Sequence, residues 1–290
     1  MRHACIDIGS NTTRLLVADC TPNGLREVRQ ERVFTQIARG RLPDGSISSE
    51  KIQEVAGAVS GQLLRARELG ADTLRAVATA AIRRAPNGCS LADAVREACG
   101  LEVEILSWQE EARLAFVGVA RMLEHPPTGD LGVIDVGGGS SELVVGTSPG
   151  TISWSTSLPV GSGDLTRSCL TSDPPAGAEL AEARRRVTGA LDAVEVPKPS
   201  LAAAVGGSAA SLATLAGTVL DQAALTRSLE LLASEPAALV AGRYGLAEER
   251  VRLLPAGLLI LQGAGERFGL PLNVGRGGLR EGILLEGCLG

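Results

Sequence analysis

Aromatic residues are scarce in this chain of 290 residues: three Phe, two Trp and one Tyr make up 2% of it. Single-stranded nucleic acids are gripped by stacking their bases on aromatic rings, so this composition excludes that class of binder. Lysine is nearly missing, with only Lys51 and Lys198, and no run of basic residues occurs. A net charge of -5 argues against nucleic-acid or membrane-surface partners in general. The two histidines, His3 and His125, stand in no H-E-x-x-H pattern, and neither a G-x-S-x-G elbow nor a Walker A loop is found. Six cysteines (Cys5, Cys20, Cys89, Cys99, Cys169, Cys288) are scattered, without a C-x-x-C pair or a histidine at metal-ligand spacing. That scatter predicts reduced thiols in a cytoplasmic protein. No apolar run reaches membrane length, and Met1-Arg2-His3 leads straight into a short strand, which predicts a soluble chain without a leader.

What is present is an ordinary globular composition, 44% hydrophobic and 21% charged, enough for one large or two medium domains. Period-2 runs predict strands at 4–8, 14–19 and 25–35, with Asn23-Gly24 as a hairpin signal. A helix follows over 49–69, with Ile52, Val55, Ala56, Val59, Leu63 and Leu64 on one face and Gly70 as its stop. A strand at 74–79, a helix at 90–99, a strand at 102–106 and a helix from Ser107 complete the order βββαβαβα. Glu124 to Gly129 reads as a connection, after which the pattern restarts. Strands are expected at 132–135, 142–146, 151–158, 201–205 and 272–274, with helical insertion near 222–249 and a closing helix from Leu279. The reading is an internally duplicated α/β unit, 1–124 and 125–290, with a ligand cleft between the halves.

Each half opens with a similar turn. Asp7-Ile8-Gly9-Ser10-Asn11-Thr12 returns as Asp135-Val136-Gly137-Gly138-Gly139-Ser140-Ser141-Glu142, each at the end of an apolar strand. Glycines let successive N–H groups point into one concavity that suits phosphate oxygens. Ser10, Asn11, Ser140 and Ser141 add short donors at the rim, and Thr12 is counted with the phosphate contacts. Asp7 and Asp135 are placed to hold Mg²⁺, which prefers a few carboxylate oxygens and keeps several waters. The alternative is that both are plain hairpin turns, an alternative that their repetition disfavours.

Hydrolysis also needs a base. Ser107 and Glu110 have capping-box spacing, which gives Glu110 a structural task and leaves Glu111 as the candidate to activate water; a solvated carboxylate paired with an Arg is the other reading. A third Gly turn, Val205-Gly206-Gly207-Ser208, offers a helix N-terminus for another phosphate, or close strand-helix packing. Arg83, Arg84, Arg14 and Arg280 are cationic candidates.

In order along the chain, Asp7 to Thr12, Ala78-Thr79-Ala80-Ala81-Ile82-Arg83, Glu110-Glu111-Ala112-Arg113-Leu114, Ile134 to Leu143, Val205 to Ser208 and Gly278-Leu279-Arg280-Glu281-Gly282 together resemble the exopolyphosphatase and guanosine pentaphosphate phosphatase family. The resemblance implies duplicated ribonuclease-H-like domains of the actin, Hsp70 and sugar kinase fold. It implies Glu111 as the activator of water, Asp135 and Glu142 at Mg²⁺, and Gly137 to Ser140 with Gly9 to Asn11 on the terminal phosphates. The implied reaction removes terminal phosphate from inorganic polyphosphate or guanosine pentaphosphate. Arg83, Gly207 and Ser208 complete the expected phosphate contacts. A kinase of the same fold and a non-catalytic alarmone or polyphosphate sensor are the alternatives, and a homodimer is left open. The segment Thr35-Gln36-Ile37-Ala38-Arg39-Gly40 departs from the T-R-L-G-E-G of many relatives, and Ser141 stands for a usual Thr. Longer members carry a further helical region beyond the point where this chain stops, at Gly290, so short polyphosphate or a nucleotide is the expected substrate.

Overall fold

The computed structural model describes residues 1–22, 24–148 and 150–288; Asn23 of the expected hairpin signal lies outside the described residues. In chain order the elements are β1 (Arg2–Ile8), β2 (Thr13–Thr21), β3 (Gly24–Val33), α1 (Ser49–Glu68), β4 (Thr73–Ala78), a short α2 (Ala80–Arg83), α3 (Gly88–Cys99), β5 (Val103–Ile105) and α4 (Trp108–Met122). Then come β6 (Leu131–Val136), β7 (Ser141–Thr147), β8 (Thr151–Leu158), α5 (Ser162–Cys169), α6 (Gly177–Asp192), β9 (Leu201–Val205), α7 (Gly206–Ala216) and β10 (Val219–Leu220). The chain closes with α8 (Gln222–Ser234), α9 (Ala237–Tyr244), α10 (Glu248–Val251), α11 (Leu254–Phe268), β11 (Leu272–Val274) and α12 (Leu279–Gly287). No helix among the described residues is long and apolar enough to cross a membrane.

Contacts group these elements into two units, 1–118 with 279–290, and 119–278. The first sheet has the order β3-β2-β1-β4-β5, and the second β10-β11-β9-β6-β7-β8. In each, three antiparallel strands form a meander whose first strand then pairs in parallel with later ones: β1 with β4, and β6 with β9. Apart from the two-residue edge strand β10, the sheets share one order. This is the duplicated ribonuclease-H-like architecture. The helices α8 to α10 occupy the expected insertion.

The turn signals at Glu124 to Gly129 place the division at 124/125, with the last helix in the second half. By contacts the division falls inside α4, and α12 groups with the first unit. The cause is a sheet whose two faces are both apolar. Ala4, Ile6, Ile8, Leu15 and Val17 pack with α1 and α3 on one face. Cys5, Leu16, Ala18 and Val77 on the other meet Leu114 of α4 and Leu279, Ile283 and Leu284 of α12. Burying apolar area is the main stabilising term in folding, so the second face needs α12 as its cover.

Two local expectations are corrected. Leu64 is 60% exposed, not on the inner face of α1. The buried stripe runs through Val55, Val59, Gln62, Leu63 and Ala66, and the next residue after Leu63 is turned about 100° away from it. Gln62 is accommodated by donating from Nε2 to the Thr13 carbonyl at 3.1 Å. The cysteines are also not all solitary: Cys20, at the far end of β2, is joined to Cys288, just past α12, as a disulfide. No sequence spacing could signal a pair separated by 268 residues.

Gly282 is where α12 meets α4 most closely, and a Cβ there would fall on the Leu114 carbonyl. Backbone cannot move aside as a flexible side chain can. Gly282→Ala is therefore expected to destabilise the protein by about 2–3 kcal/mol, in the range of core overpacking. Gly57→Ala, at an exposed α1 position with nothing within 4 Å, should instead stabilise it by roughly 0.5–1 kcal/mol. Urea denaturation midpoints of the two variants check this, and equal midpoints would contradict the close-approach argument.

Candidate active site

In the first unit the turn from β1 to β2 is closed by Gly9, whose N–H donates to the Thr12 carbonyl at 3.0 Å. A Cβ on Gly9 would lie 3.1 Å from that same oxygen. Ser10 and Thr12 are buried and Asn11 is half-buried. The Asn11 carbonyl accepts from the N–H of Gln36 at 3.0 Å. Gln36 has φ 43°, the one non-glycine left-handed residue among those described. Such a conformation persists where surrounding structure holds it, here the contact with Asn11 and a 3-10 turn over Ile37–Gly40. The departure at Gln36 thus stands directly behind the first turn. Asp7 lies opposite Arg14 in the β1·β2 ladder. Burial raises its pKa, an effect opposed by the charges of Arg14 and Arg280. Its Oδ1 is shut off from solvent with no hydrogen-bond donor.

The second unit builds the same turn in the same register. The Gly137 N–H donates to the Ser140 carbonyl at 3.0 Å, and Asp135 lies opposite Glu142 as Asp7 does opposite Arg14. Here the N-terminus of α5 supports the loop: the Ser162 and Asp164 N–H groups donate to the carbonyls of Gly137 and Gly138, each at 2.9 Å. A trans peptide points its C=O and the following N–H in opposite directions. The Gly138 and Gly139 N–H groups therefore point away from α5. Gly161 has no room for a Cβ, which would fall on the Gly138–Gly139 peptide. Ser141 is also used structurally, its Oγ donating to the Val160 carbonyl at 2.7 Å.

Directly opposed residues of an antiparallel pair share one face of the sheet, so Asp135 and Glu142 bring two carboxylates together. Glu142 is buried and accepts from Ser157 Oγ at 2.8 Å. Two like charges so placed would repel, which a divalent cation would offset. The third Gly turn adjoins this pair: at Gly206, with φ +88°, a Cβ would lie 2.6 Å from Asp135 Oδ1. Gly207 is buried behind it, and Ser208 is fully buried, its unpartnered Oγ packed where a Cβ of Gly257 would be. The Ser208 hydroxyl thus faces protein, and Gly206 serves close packing against Asp135.

In the first unit Arg83, at the end of α2, donates from Nη1 to Glu111 Oε2 and to the Leu106 carbonyl, both at 2.8 Å. Both side chains are mostly buried. Glu110 differs from the expected capping box. Its N–H does donate to Ser107 Oγ at 3.1 Å, but its carboxylate takes a two-pronged bond from Arg113 at 2.8 and 2.6 Å. Arg113 in turn reaches Glu286 of α12. A competing arginine three residues along the helix won the carboxylate. Sequence reasoning missed Gly161 and Ser162 as supports of the second turn; the available signal was Gly161-Ser162-Gly163 at the opening of a helix.

Residues 16–289 match the Ppx/GppA phosphatase family. Exopolyphosphatase 1 of Mycobacterium leprae is 28% identical over 304 residues, covering 99% of this chain and 89% of that protein. A guanosine-5'-triphosphate,3'-diphosphate pyrophosphatase of Aeromonas hydrophila is 27% identical, covering 99% of this chain and 59% of that longer protein. The crystal structure of the Aquifex aeolicus family member superposes with a TM-score of 0.83 at 28% identity, covering 100% of this chain and 98% of that one.

The hydrogen bonds from Arg113 hold the Glu110 carboxyl below its ordinary value of 4.5, against a smaller opposing effect of burial. Because the folded pKa is the lower one, the stabilisation is complete above about pH 4.5 and disappears as pH falls through the depressed midpoint. Both groups are about one-third exposed, so screening keeps it within about 1 kcal/mol. An NMR titration should place the Glu110 midpoint below 4.5 and show it moving upward in Arg113→Met. An unmoved midpoint would dismiss the pairing.

Proposed function

Because the chain belongs to the Ppx/GppA phosphatase family, we propose that it hydrolyses the terminal phosphoanhydride bond of inorganic polyphosphate, probed first with short chains, and of guanosine pentaphosphate. The observation that carries this reading is the Gly137–Ser140 turn, with two amides directed away from α5, beside the opposed carboxylates of Asp135 and Glu142. Among the substrates, the inorganic chain suits the composition better. Of the six aromatic residues, Phe116 and Phe268 are fully buried, leaving few rings to stack on a guanine base.

In this reading the amides of Gly138 and Gly139 take oxygens of the terminal phosphate, with Ser140 at the edge of the turn. The corresponding Gly9–Thr12 turn is a second set of phosphate contacts. Water adds to the terminal phosphorus while the bridging P–O bond breaks, and Glu111 accepts the proton that water loses. Arg83 is a positioning residue: its bond to Oε2, anchored at the Leu106 carbonyl, fixes the rotamer of Glu111.

The donor set of the second turn fits Mg²⁺. Asp135 and Glu142 are hard oxygen ligands of like charge on one sheet face, and they would hold the ion. When bound, Mg²⁺ would neutralise phosphate oxygens as negative charge shifts to the leaving group. Asp7 differs, since Arg14 and Arg280 already oppose its charge. Its buried Oδ1, which has no hydrogen-bond donor, keeps it a candidate ligand in the first turn.

Phosphate release from defined short polyphosphate and from guanosine pentaphosphate tests the reading. Glu111→Gln should lower kcat by roughly 10²–10⁴-fold, as removal of a general base does, with little change in substrate affinity. Glu110→Gln should leave kcat within a few-fold. Chelation should stop turnover, Mg²⁺ should restore it, and Asp135→Asn should raise the Mg²⁺ needed for half activity. Equal rates for wild type and Glu111→Gln would remove Glu111 from the chemistry, and binding without turnover by wild type would turn the reading toward a sensor.

A further inference from the structure

One of the two histidines and two of the six cysteines come together at one edge of the first unit. His3 of β1, Cys20 at the end of β2 and Cys288 after α12 place one ligand atom each within 4.8 Å of one another. The ladder accounts for the first two: His3 lies opposite Ala18, which brings the last residues of β2 to the start of β1. The packing of Leu279, Ile283 and Leu284 against the sheet then brings the end of α12 over the same spot.

We propose that, with Cys20 and Cys288 reduced, these three residues form a thiolate–imidazole site for a zinc-class ion. The ligand chemistry is that of zinc sites, in which Cys sulfur and His nitrogen bind tetrahedrally and a water takes an open fourth position. Thiolates exclude Mg²⁺ and Ca²⁺, whose ligands are oxygens. His3 is 4% exposed, and its Nδ1 is held by Thr73 Oγ1 at 2.5 Å. That bond orients the ring in the way outer hydrogen bonds orient ligating histidines, and with the proton on Nδ1 the Nε2 lone pair is the one available to a metal. Cys20 and Cys288 are partly exposed, so an ion can reach them from solvent.

Disulfide and metal site are two states of the same sulfurs. On binding, the two thiols release two protons and the thiolates and imidazole take the ion. On oxidation, the two thiols instead lose two electrons and two protons to a low-molecular-weight disulfide, which leaves as two thiols. Either state ties α12 to β2, but only the reduced one binds metal. The site shares no residue with the proposed hydrolytic machinery.

The test uses the full chain, reduced under anaerobic conditions and titrated with Co²⁺ as the probe. One equivalent should produce a sulfur-to-cobalt charge-transfer band that added Zn²⁺ abolishes, and Zn²⁺ should raise the Tm of the reduced protein. The oxidised wild type, which keeps its fold, should give neither the band nor the shift. Cys288→Ser and, independently, Cys20→Ser should lose the band, while Cys89→Ser, at an exposed free cysteine, should keep it. Absence of the band in reduced wild type, or its persistence at equal intensity in Cys288→Ser and Cys20→Ser, overturns the proposal.

Discussion

One backbone hydrogen bond in each unit fixes where every polar group near the turns can fall. Gly9 to Thr12 and Gly137 to Ser140 close the two hairpins at the same point of the ladder. Because successive side chains alternate between faces, a slip of one residue would send Asp7 and Asp135 to the opposite side of their sheets. Glycine is required at both donors, since a Cβ would crowd the very carbonyl being bonded, at 3.1 and 2.9 Å. The Asp two residues before each Gly therefore has its face and height determined before any ligand is considered.

From this common frame the two copies diverge at one cross-strand position. Opposite Asp7 stands Arg14, and opposite Asp135 stands Glu142. An acid–base pair neutralises itself, whereas two opposed carboxylates repel unless a proton or a cation comes between them. The supports behind the turns diverge as well. The second is backed by two amides of a helix N-terminus, a regular and inexpensive arrangement. The first is backed by Gln36, a residue in a conformation that non-glycine residues seldom adopt. Duplication thus supplied the geometry, and single side chains then separated the chemistry.

What could be read in the sequence was local. Strand alternation, the Gly turns and the stop at Gly70 all arise from neighbouring residues, and β8, β9, β11 and the start of α12 fall where alternation and periodicity placed them. What could not be read was set by distant partners. Leu64 faces solvent because the stripe on α1 follows the sheet beneath it rather than the run of apolar letters. Glu110 is taken by Arg113, which is itself held by a residue 173 positions away. Gly161 looks like any loop glycine until the Gly138–Gly139 peptide is packed against it. The Cys20–Cys288 contact is invisible for the same reason.

The helix at the end of the chain gathers these distant effects. Its first turn carries Arg280, whose charge opposes that of Asp7 and whose guanidinium donates to the Leu15 carbonyl at 3.4 Å. One step on, Gly282 lets it settle against the Leu114 carbonyl of α4, and Glu286 then takes Arg113 from the same helix. Glu111 lies one turn before Leu114 on α4, so whatever sets the height of α4 sets the height of Glu111. A misplacement of about 1 Å in a catalytic group can cost on the order of 10²-fold in rate. The missing methyl at Gly282 is therefore a positioning constraint on the candidate base as well as a packing one, which gives the Gly-Leu-Arg-Glu-Gly segment a physical place among the motifs that carry the family resemblance although its last glycine lies against helix backbone.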